Sequence, residues 1–119
     1  MAKEDWFARY RFVSPVGQCG NAVFYLAKDN TDNAFVVVKQ FVLRNQNPDD
    51  AEDQQAMFED ETRLYSLLHS KGMIHTFDSV SIDGKLFMVI DPQSACDLIC
   101  AHLKLENIER KISEESHGQ

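Results

Sequence analysis

Short apolar runs and period-two alternation dominate the chain, and they predict β-strands near residues 10–17, 22–28, 34–43, 75–82 and 85–91. The segments between them predict how the strands pair. "KDNTDNA" is a polar turn between the second and third strands, and "SIDGKL" places Asp83-Gly84, a tight-hairpin dipeptide, between the last two. Hairpins of this kind make neighbouring strands antiparallel. Helical character takes over at about 50–70, after Pro48, and again from about 95 to 112, with the polar tail "SEESHGQ" expected to fray. The expected fold is therefore α+β, a five-stranded antiparallel sheet with one packed helix, plus a C-terminal helix.

Two positions break the apolar pattern. The stretch "FVVVKQFVL" reads as a buried strand with Lys39 at its centre, and alternation puts Lys39 on the same face as Phe35, Val37 and Phe41. In the first long helix Phe58, Glu61, Tyr65 and Leu68 follow one another at spacings of 3, 4 and 3, which lines them up on one stripe with Leu64 beside it. A carboxylate in a buried stripe is costly unless a cation meets it, and Lys39 stands in the complementary predicament. The two are natural partners. Spacing alone leaves a second arrangement open, with Lys39 snorkelling to a sheet edge and Glu61 at the margin of its stripe. Buried ion pairs contribute little net stability, so such a pair points to function rather than to structure.

Composition narrows the class. With 119 residues and 44% hydrophobic content the chain has room for one domain with a real core. No apolar run approaches the roughly 20 residues of a membrane span, and "MAKEDWFARY" lacks the apolar core and cleavage site of a secretory signal. A net charge of −7 argues against nucleic acid and anionic membranes as main partners. The acid gathers at Asp49, Asp50, Glu52 and Asp53, where a helix start favours carboxylates. Cys19, Cys96 and Cys100 are an odd, scattered set that reads as free thiols of a soluble, cytoplasmic protein. "CDLICAH" offers too few ligands for a structural zinc, His69 and His75 flank a turn, and no metal site is expected. Nucleophile-elbow and phosphate-loop motifs of hydrolases and P-loop proteins are lacking as well.

In this order and spacing the motifs resemble the N-terminal lobe of a eukaryotic-type (Ser/Thr) protein kinase, truncated after the hinge. "VGQCGNAVFYLA" looks like the glycine-rich hairpin of that family and "VVVK" like its lysine motif; "FEDETRLYSLLHSKGMI" is similar to its helix C, and "KLFMVIDPQSACDL" to its fifth strand, hinge and following helix. The resemblance covers residues 10–103, leaving 1–9 as an N-terminal extension and 104–119 as a helical, partly frayed tail. It implies an ATP site in which Lys39 holds the α- and β-phosphates and Glu61 orients Lys39. Val16, Gly17, Phe24 and Val37 would surround the nucleotide from above, with Ile90 as gatekeeper. The carbonyl of Asp91 and the N–H of Gln93 would meet the adenine edge, and Asp97 the ribose.

The departures from the family pattern open a rival. Of its three glycines only Gly17 is kept; Cys19 and Ala22 stand at the other two positions, where a Cβ hinders close approach to phosphate. Phe24 and Val37 are larger than the residues usual over the purine. The catalytic-loop aspartate and asparagine and the metal-binding aspartate have no counterpart in this sequence, so phosphotransfer by this chain alone is not expected, and magnesium would need ligands from a second lobe. Two functions follow: an ATP-binding small lobe of a kinase-like protein, incomplete for phosphotransfer, or a non-catalytic, pseudokinase-type interaction module with a degenerate nucleotide site. Without a lower lobe the cleft side of the sheet is expected to be apolar and uncovered. Leu98, Ile99, Leu105, Ile108 and Ile112 give the last helix an apolar side that either folds back or docks on a protein partner or a second copy.

Overall fold

The structure, a computed structural model, describes residues 3–42 and 48–117. Strands β1 (Tyr10–Cys19), β2 (Ala22–Asp29), β3 (Ala34–Phe41), β4 (Phe77–Ile82) and β5 (Lys85–Ile90) form one sheet in the order β1-β2-β3-β5-β4, every pair antiparallel. Asp83 and Gly84 both take positive φ, 52° and 77°, the conformation that a tight two-residue hairpin requires. The end of the expected third strand at residue 43 lies outside the described residues.

Helix α2 (Pro48–Ser70) crosses the inner face of the sheet. Its Phe58 and Tyr65 are buried and Leu68 packs beside them, whereas Leu64, on the neighbouring stripe, stays exposed. Alternation along β3 holds as expected: Val37, Lys39 and Phe41 face inwards, and Val36 and Val38 face the outer side. The outer side has a cover of its own. Residues 3–9 form helix α1 (Lys3–Arg9), which lays Trp6 against Tyr10, Phe12 and Phe87 with ring centroids 4.9–6.1 Å apart.

The expected single helix over 95–112 is corrected. A turn α3 (Pro92–Ser94) leads into a π-helical turn Ala95–Ile99, the chain then breaks, and helix α4 runs from Leu105 to His117. Cys100 is extended, with φ −144° and ψ 112°, and its N–H still reaches back to the Ala95 carbonyl at 3.0 Å. One straight helix would present a single stripe to the sheet. The break lets Cys100 and Leu103 enter the core from a loop and Ile108 from the next helix. The tail also differs from expectation: residues 113–117 continue α4, and Glu115 accepts from Arg11 of β1 at 3.0 Å, an exposed pair that adds little.

Candidate functional site

The inner face of β3 meets α2 at one ion pair. Lys39 Nζ donates to Glu61 Oε1 at 2.6 Å, and the lysine side chain is 10% exposed against 22% for the glutamate. Further groups hold the pair in place. Tyr65 lies one turn along α2 from Glu61 and donates its hydroxyl to the same oxygen at 2.7 Å. Burial, and then that bond to the carboxylate, push the phenol of Tyr65 well above its ordinary range. The Lys39 ammonium also lies 4.7 Å from the centre of the Phe41 ring, with Phe24 and Tyr65 each at 5.9 Å. Of the two arrangements open to spacing, the lysine takes the inward one.

A cavity of about 300 Å³ opens beside the pair, walled by Cys19, Asn21, Lys39, Gln54, Met57 and Glu61 among others. Gln54 is itself buried and donates to the Val42 carbonyl at 2.7 Å, which ties α2 to the end of β3. The cavity thus offers one ammonium, one carboxylate, two amides and a thiol within a partly apolar wall.

The residues assigned to the purine adjoin the ion pair but do not line this cavity. Phe24, Val37 and Ile90 are completely buried in one apolar cluster with Ala95, Cys100, Leu103 and Ile108. Val16 packs on the edge of that cluster. Gly17 lies opposite Phe24 in the β1–β2 ladder, and a Cβ placed on Gly17 would come within 2.8 Å of a methyl of Leu103. Here the glycine admits a leucine from the same chain, and the space under the sheet is filled by the segment that follows the fifth strand. The underside is therefore covered rather than open, with Ile108 and Ile112 folded back; Leu98 alone of that set is strongly exposed.

The Asp91–Asp97 stretch is wound rather than extended. Asp91 caps the turn: one carboxylate oxygen accepts from the Ser94 N–H at 3.0 Å and the other from the N–H groups of His75 and Thr76 at 2.9 and 3.0 Å. Burial raises the Asp91 pKa, but these donors outweigh it and leave the carboxyl below its usual range. The backbone carbonyl of Asp91 accepts from the Ala95 N–H at 3.0 Å, and the Gln93 amide donates to Asp97 at 2.8 Å. Three of the residues expected at the adenine edge and ribose are thus engaged with one another or with the turn they belong to.

Lys39 and Glu61 are brought together; Phe24, Val37 and Ile90 share one buried cluster with Leu103, and Gly17 lies against that leucine, so none of the four lines the cavity beside the ion pair. The sequence reading missed Tyr65 as the second partner of Glu61, although their spacing of four residues on α2 carried the signal. It also missed Leu103 and Cys100 as occupants of the underside, for which no local pattern gives notice. No protein-family model matches the sequence, and comparison with curated proteins finds no match. A five-stranded antiparallel sheet with a packed helix does not by itself identify a kinase.

Proposed function

We propose that this chain is a protein-kinase-like small lobe acting as a non-catalytic interaction module whose nucleotide pocket is closed by its own C-terminal segment. The observation that carries this reading is the complete burial of Phe24, Val37 and Ile90 in one apolar cluster with Leu103, which closes up against Gly17. A purine needs that space, and native-like packing leaves none for it. The engaged Asp91 carbonyl and Asp97 carboxylate support the same reading. Among the described residues no helix is long and apolar enough to cross a membrane, and three free cysteines suit the reducing cytoplasm in which we place the protein. The surface offered to a protein partner is the exposed stripe of α2, where Met57, Leu64 and Leu67 are each more than half exposed.

One observation favours a second reading, that of an ATP-binding small lobe. Lys39 and Glu61 form the ion pair that the kinase resemblance assigns to phosphate handling, at the wall of a cavity of about 300 Å³. Thermal unfolding with and without Mg-ATP separates the two. The closed module shows no shift at saturating nucleotide. A binder gains about 2.7 kcal/mol at a ligand concentration a hundred times its dissociation constant, and such a gain would overturn the closed-pocket reading.

A further inference from the structure

A helix that packs on one sheet needs one apolar stripe, and α2 carries two. The first, Phe58, Tyr65 and Leu68, is used against the sheet. The second lies roughly a quarter-turn further round the helix, where Met57, Leu64 and Leu67 are 51%, 51% and 52% exposed. Polar positions complete it. Asp53, Met57, Asp60, Leu64, Leu67 and Lys71 follow one another at spacings of 4, 3, 4, 3 and 4, and all six are exposed. That alternation is the heptad pattern of a seam between two helices. Lys71 still belongs to it, since its N–H bonds to the Leu67 carbonyl at 3.1 Å before Gly72, at φ 80°, turns the chain away. Among the described residues the main sheet contacts of α2 are with β4 and β5, at the end of the sheet away from β1. The outer flank of the helix is therefore open to a second molecule.

The order of residues along the seam identifies the occupant. Turning a second α2 end for end about a two-fold axis at Thr62 opposes the positions nine, five and two residues to either side: Asp53 with Lys71, Met57 with Leu67, and Asp60 with Leu64. Each contact then occurs twice, as in any isologous pair. Both ends close on opposite charges, and among the described residues neither Asp53 nor Lys71 has an ion pair inside its own chain. Asp60, near the axis, arrives with Arg63 as its counter-ion, so the middle gains no unpaired charge. The acidic first turn with Asp49 and Asp50 comes to lie beside the last turn with His69, and antiparallel helix dipoles favour the same direction. A parallel pair would set acid against acid. We propose that α2 is the interface of an antiparallel homodimer, with Asp53 of each copy against Lys71 of the other and Met57, Leu64 and Leu67 buried between the two helices. Sliding one helix by a heptad would pair Asp60 with Lys71 and leave Met57 without a partner, so Asp53 marks the register. The inference rests on the reading of the chain as an interaction module and supplies its partner, a second copy; it does not depend on the closed nucleotide pocket.

The test is sedimentation velocity on the full chain from about 1 to 200 µM, a range that covers weak and moderate dimers. The expected mass rises from 13.6 kDa to twice that value and no further, because a two-fold contact closes on itself. Leu64→Glu sets a carboxylate against Asp60 of the other copy at both crossings and raises the dimer Kd roughly 100-fold. Its far-UV circular dichroism stays that of the parent, since position 64 is exposed in the single chain. Asp53→Lys raises Kd roughly 10-fold, and adding Lys71→Asp to the same chain returns it to within about threefold of the parent. A monomer at every concentration overturns the proposal and leaves the stripe to an unrelated protein. Survival of the dimer in Leu64→Glu, assembly beyond two copies, or an Asp53→Lys chain that pairs as tightly as the parent overturns it as well. Mg-ATP titration of the Leu64→Glu chain reads the closed pocket separately, because Leu64 lies outside the cluster of Phe24, Val37 and Ile90. Failure of the dimer and failure of the closed-pocket reading are thus told apart.

Discussion

The two faces of the one sheet are closed by different means. On the outer face α1 seals Trp6, 1% exposed, onto Tyr10, Phe12 and Phe87, and the chain on either side of β1 is tied down at its turn. Arg9 donates two hydrogen bonds to Asp29, at 3.2 and 3.1 Å, and Asp29 also accepts from the Thr31 backbone and hydroxyl at 3.0 and 2.7 Å. Burial and the nearby charge of Asp78 push the Tyr10 phenol up to about 12. The inner face combines an ion pair, an open cavity and a cover drawn from the far end of the chain. A face closed by rings and local bonds is scaffold. A face closed by a distant segment depends on contacts between parts of the chain far apart in sequence, whereas the outer face is closed by neighbouring elements.

The contrast gives predictions that differ in size. The largest effect belongs to the scaffold: Trp6→Ala removes the centre of the outer aromatic cluster and costs about 3–5 kcal/mol in denaturant unfolding. A cost below about 1 kcal/mol would mean that α1 is not part of the folded unit. Next comes Leu103→Ala, at about 2–4 kcal/mol, because Leu103 is buried against Gly17 and its neighbours cannot close the gap. This variant also sharpens the functional contrast. If Leu103 keeps nucleotide out, the variant gains a thermal shift with Mg-ATP that the parent chain lacks.

The ion pair separates function from stability at a smaller scale. Glu61→Ala leaves the Lys39 ammonium buried with aromatic rings as its remaining partners, and since the glutamate is partly exposed the cost is about 2 kcal/mol. Lys39→Met removes the charge and keeps the apolar stem, and costs less than about 1 kcal/mol. Equal losses for the two variants, measured by urea unfolding, would show the pair to be a structural clamp.

The smallest effect is on the acid limb of stability. Burial raises the carboxyl of Asp29, but the bonds from Arg9 and Thr31 outweigh it and hold its folded pKa below the ordinary 3.8. Asp91 is lowered in the same sense by its backbone donors. A depressed folded pKa stabilises the fold above the unfolded value, and that contribution is lost as pH falls through the folded value. Stability is therefore complete with respect to these groups above about pH 5 and declines below about pH 4. Asp29→Asn flattens the decline, and a decline of unchanged depth in that variant would remove Asp29 as a contributor.

Much of the fold could be read from local pattern because local rules govern it. Alternation fixed which face of β3 carries Lys39, Asp83-Gly84 fixed the last hairpin, and helical spacing placed Glu61 and Tyr65 on one stripe. Other features had weaker local signals. Trp6 was a visible bulky residue in a stretch read only as an extension, and its burial depends on Phe12 and Phe87 arriving from two different strands. The break after Ile99 was invisible, since 95–112 has the apolar spacing of one helix and only the shape of the underside makes a broken path better.

The sequence by itself determined the strands, their antiparallel pairing and the long helix, because each follows from periodicity or turn chemistry, and it marked Lys39 and Glu61 as natural partners while leaving an outward lysine open. Only the tertiary structure decided what fills the space beneath the sheet. Contact of Gly17 with Leu103 joins positions far apart along the chain. Which segment wins such a place is set by the volume and shape left over once the whole core has packed, and no local pattern encodes that remainder.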